Sequence, residues 1–251
     1  MDSFMKWIGG KKLLRKQIAE RLPEKMEQYV EVFGGAAWVL FYKERYAAKE
    51  VYNDINSELV NLFRMVKYHP EAVEKELEYM LNSREMFLDM RDADVSRKTE
   101  IQRAARYFFL IKASHGAKLT SFGGAQRNVL KTGDLQRVQQ RLSKVVIENK
   151  SFEHLIRARD GEGTVFYCDP PYYQAERYYD MGGPGFGREQ HILLRDTLRE
   201  IRGKFLLSYN DNPFVRELYG DFRIEEVERS NNLACAVGRA KRYKELIIRN
   251  Y

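Results

Sequence analysis

The run Val165-Phe-Tyr-Cys-Asp-Pro-Pro-Tyr-Tyr173 constrains this chain more than any other stretch. Val165 to Cys168 are β-branched, aromatic or small, the composition of a short strand buried on both faces. Pro170 and Pro171 then end the strand, because neither donates a ladder hydrogen bond and Pro171 holds Pro170 extended. Asp169 is thereby delivered to the end of a buried strand, where open α/β sheets bind ligands. Asp169 and the Pro170 carbonyl are both acceptors, and Tyr172 offers an aromatic face. The combination suits a flat ring that bears an amine. An Asp before Pro-Pro also serves as a plain turn residue, but the strand before it and the tyrosines after it favour a ligand.

The rest of the chain reads as strands and helices in alternation, interrupted once. Leu13, Leu14, Ile18 and Leu22 recur at helical spacing over residues 11–22, ahead of Pro23. Strands are expected at Tyr29 to Phe33 and Val51 to Asp54, with a helix from Trp38 onward between them. Asn56 or Ser57 caps a further helix that runs to about Tyr68. From Glu71 to about Leu142 the pattern is helical, and β signals resume at 145–147, 165–168, 205–209, 222–227 and 246–248, with a helix over 189–202. An α/β sheet is expected, made by residues 1–68 and 145–251, with 69–144 as an inserted helical unit.

Charge singles out part of that insertion. The net charge is +7, yet residues 101–150 hold ten Lys or Arg against two Asp or Glu. That segment is the candidate for contact with a polyanion such as nucleic acid, a solvated basic face being the plainer reading. No apolar stretch approaches the roughly 20 residues of a membrane span. The first residues lack the layout of a secretion signal, and two cysteines suggest no disulfide framework, so a soluble, cytoplasmic protein without a metal site is expected.

A second constellation is Glu31-Val-Phe-Gly-Gly-Ala-Ala37, a small-residue turn after a strand, where a ligand can approach the backbone. Asp54, about twenty residues on and at the end of the next strand, is placed to bind ribose hydroxyls of a nucleoside cofactor.

Taken with Lys6-Trp-Ile-Gly-Gly-Lys11 and Asn53-Asp-Ile-Asn56, these motifs, in this order, make the chain resemble the Dam-type DNA adenine N6-methyltransferases over nearly its whole length. The resemblance implies a Rossmann-like sheet with an inserted target-recognition unit, and S-adenosylmethionine as methyl donor. It implies that Trp7 and Lys11 border the cofactor pocket, Phe33 and Gly35 line its methionine end, Asp54 holds the ribose, and Asp169 lies between cofactor and base. Asp169, Pro170 and Tyr172 would act on an adenine flipped out of duplex DNA, with Tyr172 on one face of the base and Phe152 on the other. Arg103, Lys118 and Arg127 are the expected DNA contacts, with Gln126, Asn128 and Lys131 on the same loop.

Three positions depart from the family pattern. Val32 stands where proline is usual, Ala37 where glycine is usual, and Ser151 where many relatives carry aspartate. Residues 112–128 lack the Tyr- and Asn-rich stretch of Dam itself, so the target need not be GATC. A glycine- and aromatic-rich segment at 178–187 is a candidate cover for the flipped base, and His191 reads as a packing or capping residue. Two alternatives stand beside the main reading: the same chemistry on RNA, and a nonenzymatic DNA-binding protein with a degenerate cofactor pocket. The sequence does not say whether a cognate restriction endonuclease is a partner.

Overall fold

The computed structural model describes residues 1–124, 135–174, 185–230 and 242–251. Its strands are β1 (Gln28–Glu31), β2 (Lys49–Asn53), β3 (Val145–Glu148), β4 (Thr164–Cys168), β5 (Lys204–Asn210), β6 (Arg223–Ser230) and β7 (Arg242–Arg249). They form one sheet in the order β3-β2-β1-β4-β5-β7-β6. The first five run parallel, and β7 lies antiparallel between β5 and β6.

Side-chain alternation divides the core between the two faces of the sheet. Tyr29, Tyr52, Val165, Tyr167, Leu206 and Ile247 belong to one apolar cluster with α1 (Arg15–Arg21), α2 (Ser57–Tyr68), α3 (Pro70–Glu78), α5 (Glu100–Ala113) and α6 (Leu135–Leu142). Val30, Val51, Phe166, Cys168, Phe205, Leu207 and Tyr209 belong to the other, with α7 (Phe152–Arg159), α8 (Arg188–Glu200) and α9 (Pro213–Leu218). The result is the expected Rossmann-like α/β sandwich. Helices α3, α5 and α6, with α4 (Arg84–Asp92) packed on α5, come from the segment read as an insertion.

The sheet order explains where a ligand belongs. From β1 the chain moves outward through β2 and β3, then returns to the opposite side of β1 as β4. The loops leaving β1 and β4 therefore diverge and open a crevice at their carboxyl ends. Glu31 pairs with Tyr167 in register, so the glycine turn and Asp169 emerge at nearly the same level.

Several local expectations need correction. The helix expected from Trp38 is instead a run of turns. Ala37 has φ +55°, which no α-helix accommodates, and Trp38, Val39, Leu40 and Phe41 are all buried, whereas a surface helix buries one stripe. Arg141 of α6 stitches these turns down, donating to the carbonyls of Leu40 (2.8 Å) and Lys43 (3.1 Å) and pairing with the buried Glu50 at 2.7 Å. Helix α1 begins at Arg15, because the Lys11 carbonyl closes a turn with the amides of Leu14 and Arg15. Helices α7 and α9 were not anticipated. Ser151 caps the first by accepting from the His154 amide at 3.3 Å, and Asn212 caps the second by accepting from the Phe214 amide at 2.9 Å. Asn56 caps α2 as expected, accepting from the Leu59 amide at 3.1 Å.

Candidate active site

The glycine turn is held from two sides. A Cβ on Gly34 would lie 2.2 Å from the Tyr52 ring, and one on Gly35, at φ +49°, would lie 2.9 Å from the Trp7 indole. Only glycine lets the backbone pass between these rings. Asp54, at the end of β2, accepts from the amides of Gly35 and Asn56, each at 2.9 Å through a different carboxylate oxygen. Burial pushes its carboxyl above the ordinary range, and the amides pull it back. With the Ile55 amide also bonded to it, the carboxylate keeps acceptor capacity for a hydroxyl donor. Trp7 also packs against Tyr107 of α5, whose hydroxyl accepts from the Asn56 side chain at 3.0 Å.

Asn53 was not singled out from sequence, yet it ties the crevice wall together. Its amide donates to the Val32 carbonyl (2.9 Å) and the Lys150 carbonyl (3.0 Å), and accepts from the Lys150 amide (2.9 Å). This sets the loop that presents Phe152 beside the glycine turn, with Phe33 and Phe152 ring centroids 5.7 Å apart and Phe186 against both. Phe152, expected over the acceptor base, thus packs against Phe33 and Phe186.

At the end of β4, Asp169 is 17% exposed and meets the Lys11 ammonium at 2.6 Å. The same oxygen, Oδ1, accepts from the Ser208 hydroxyl at 3.0 Å, and Ser208 in turn contacts the Tyr167 hydroxyl at 3.1 Å. Burial raises the Asp169 pKa, Lys11 and Ser208 oppose the rise, and Glu245 adds to it. Lys11 lies 4.6 Å above the Tyr172 ring centroid. Lys11 thus bridges the Asp169 carboxylate and the face of Tyr172, an arrangement that favours a nitrogen bearing protons at this point. Ser208 and Glu245 escaped the sequence reading. The one signal for Ser208 was a hydroxyl interrupting the apolar run Phe205 to Tyr209.

Glu31, the acid of the glycine motif, is 1% exposed, and its Oε2 accepts from the Tyr29 hydroxyl at 2.8 Å. Burial pushes its pKa from 4.5 to about 8. The folded chain therefore keeps a proton that the unfolded chain releases near 4.5. That contribution to stability is complete below about pH 4.5 and is lost as pH rises towards 8. Thermal denaturation across this window should show the parent losing stability relative to Glu31→Gln as pH rises; parallel curves would contradict a neutral Glu31.

Val32 and Ala37, the departures in the glycine motif, are 1% and 0% exposed and belong to the two apolar clusters. Neither side chain obstructs the crevice. The matching family model spans residues 7–233 and so takes in the glycine turn, Asp54 and the Asp169 motif together. The chain belongs to the D12 class N6 adenine-specific DNA methyltransferase family. The type II methyltransferase M1.LlaDCHI of Lactococcus lactis subsp. cremoris is 29% identical over 273 residues, covering 99% of this chain and 95% of the relative. The DNA adenine methylase of Haemophilus influenzae is 24% identical over 267 residues, covering 97% and 92%. Among solved structures, a SAM-dependent methyltransferase from Agrobacterium tumefaciens aligns at a TM-score of 0.46 and 10% identity, covering 94% of this chain and 58% of its own. Membership of the D12 class favours DNA over RNA as substrate, and an enzyme over a DNA-binding protein without activity.

The expected DNA contacts fare differently. Arg103 is paired with Glu58 of α2, its Nε donating at 3.0 Å. Lys118 is exposed after the turn at 115–117. Gln126, Arg127, Asn128, Lys131 and most of the 178–187 segment lie outside the described residues. His191 is fully buried and bonded to the Tyr209 hydroxyl, a packing role. Among the described residues, no helix is long and apolar enough to cross a membrane.

Proposed function

We propose that the crevice between β1 and β4 binds S-adenosylmethionine and presents its methyl group to the N6 of an adenine flipped out of duplex DNA. The observation that carries this reading is the Lys11 ammonium, hydrogen-bonded to Asp169 and seated over Tyr172. The crevice suits the cofactor: Asp54 would hold the ribose diol, Phe33 and Gly35 would line the methionine end beneath Trp7, and Phe152 adds apolar surface beside Phe33. Held by Asp54, Gly35 and Trp7, S-adenosylmethionine would supply an electrophilic methyl group on a sulfonium and leave as the neutral thioether, while the N6 lone pair would form the new N–C bond and the surplus N6 proton would pass to water.

Asp169 and the Pro170 carbonyl accept from the N6 protons, which pulls the amine towards a tetrahedral shape and turns its lone pair towards the methyl group. Ser208 fixes the carboxylate for that task. Tyr172 stacks on the flipped ring, and Lys11 yields its place to the incoming amine. Phe152 serves the cofactor rather than the base, given its contact with Phe33. Residues 69–144 serve as the target-recognition unit, with Lys118 and Arg127 at the phosphates; Arg103 joins them only by giving up Glu58. A restriction endonuclease partner fits the type II name of the first relative.

The test is tritiated methyl transfer to genomic duplex DNA and to bulk RNA in parallel. Label should enter DNA at least a hundredfold faster than RNA, a ratio set by about 3 kcal/mol of substrate discrimination. Equal incorporation would sink the DNA assignment.

A further inference from the structure

We propose that Glu245 of β7 is a positioning residue for methyl transfer, fixing the Tyr172 phenol so that its face covers the reacting amine. This rests on the reading of Asp169 and Tyr172 as the methyl-acceptor site. The register pairs Glu245 with Asn210 at the last residue of β5, which brings an acid from the antiparallel strand to the edge where Asp169 emerges. Glu245 is 3% exposed, and its Oε2 accepts from the Tyr172 hydroxyl at 2.5 Å. That is the length of a hydrogen bond to a charged acceptor.

Two consequences follow for the ring. A side chain held at its far end cannot swing about Cα–Cβ, so the stacking face is set before the base arrives. A phenol that donates to a carboxylate also carries more negative charge on its π face, which favours a cation above it. The Lys11 ammonium already occupies that face at 4.6 Å. During methyl transfer the acceptor nitrogen gains positive charge in the same region, so the interaction strengthens towards the transition state.

The experiment compares single-turnover methyl transfer to DNA by the full chain and by Glu245→Gln, Tyr172→Phe and the double variant, together with S-adenosylmethionine and DNA affinities. Glu245→Gln should slow transfer about tenfold, the weight of one charge-assisted hydrogen bond, with both affinities within about twofold. The same change in the Tyr172→Phe background should have no further effect, because the hydroxyl through which Glu245 acts is gone. The pH profile gives an independent readout. Asp169 faces Lys11 from the N-terminal loop, Glu31 from β1, Tyr167 and Cys168 from β4, and Glu245 from β7. Removing the Glu245 charge should therefore move the acid limb of the rate profile to lower pH, which a purely structural loss would not do.

A parental rate in Glu245→Gln overturns the proposal, as does a loss of equal size in both backgrounds. Should Glu245→Gln fold poorly, Tyr172→Phe alone decides, since transfer at the parental rate without the hydroxyl also overturns it. If the parent itself makes no N6-methyladenine, the acceptor-site reading falls first; if it does and the variants keep pace, only the role of Glu245 falls.

Discussion

Asp169→Asn should lower methyl transfer to DNA by between about a hundredfold and a thousandfold, the effect of removing one preorganised group from a developing charge. The amide is isosteric and can still accept from Ser208, so the fold and the S-adenosylmethionine affinity should stay close to the parent's. What it loses is the charge that attracts the N6 protons. The measurement is single-turnover transfer with cofactor affinity from calorimetry. Parental transfer would show that Asp169 serves only to hold Lys11.

The second large effect belongs to the other half of the crevice. Asp54→Ala should weaken S-adenosylmethionine binding by about ten- to a hundredfold, the worth of hydrogen bonds to a charged acceptor. The rate at saturating cofactor should stay within a few fold, since Asp54 touches a part of the ligand remote from the methyl group. Some of the loss comes from the turn, because Asp54 also holds the Gly35 amide. Asp54→Asn, which can still accept one of these bonds, should fall between parent and alanine. A lowered rate at saturation with unchanged affinity would contradict a role in cofactor binding.

Much of this architecture is legible in the sequence, for identifiable reasons. Strands such as Val165 to Cys168 are short apolar runs closed by prolines, and Asn56 stands where a cap must be, so local chemistry located both. The stretch after Gly35 misled because Trp38 to Phe41 is apolar without a stripe; its conformation depends on Arg141, a hundred residues away. The site was half legible. Asp169, Tyr172, Gly35 and Asp54 stand in motifs visible along the chain, whereas Ser208 and Glu245 become neighbours of Asp169 and Tyr172 only through the sheet order, which places β5 beside β4 and β7 beside β5. Phe152 shows the same limit: its position after β3 puts it against Phe33, a relation that Asn53 enforces and that no local pattern announces.

The most direct measurement is the identity of the methylated nucleoside. Duplex DNA is incubated with S-adenosylmethionine and either the parent or Asp169→Asn, digested to nucleosides and resolved by mass spectrometry. N6-methyladenine from the parent, falling by at least about a hundredfold with Asp169→Asn, is the expected result. Methylated cytosine in its place, or N6-methyladenine formed equally well by both proteins, would contradict the assignment of Asp169 to an adenine amine.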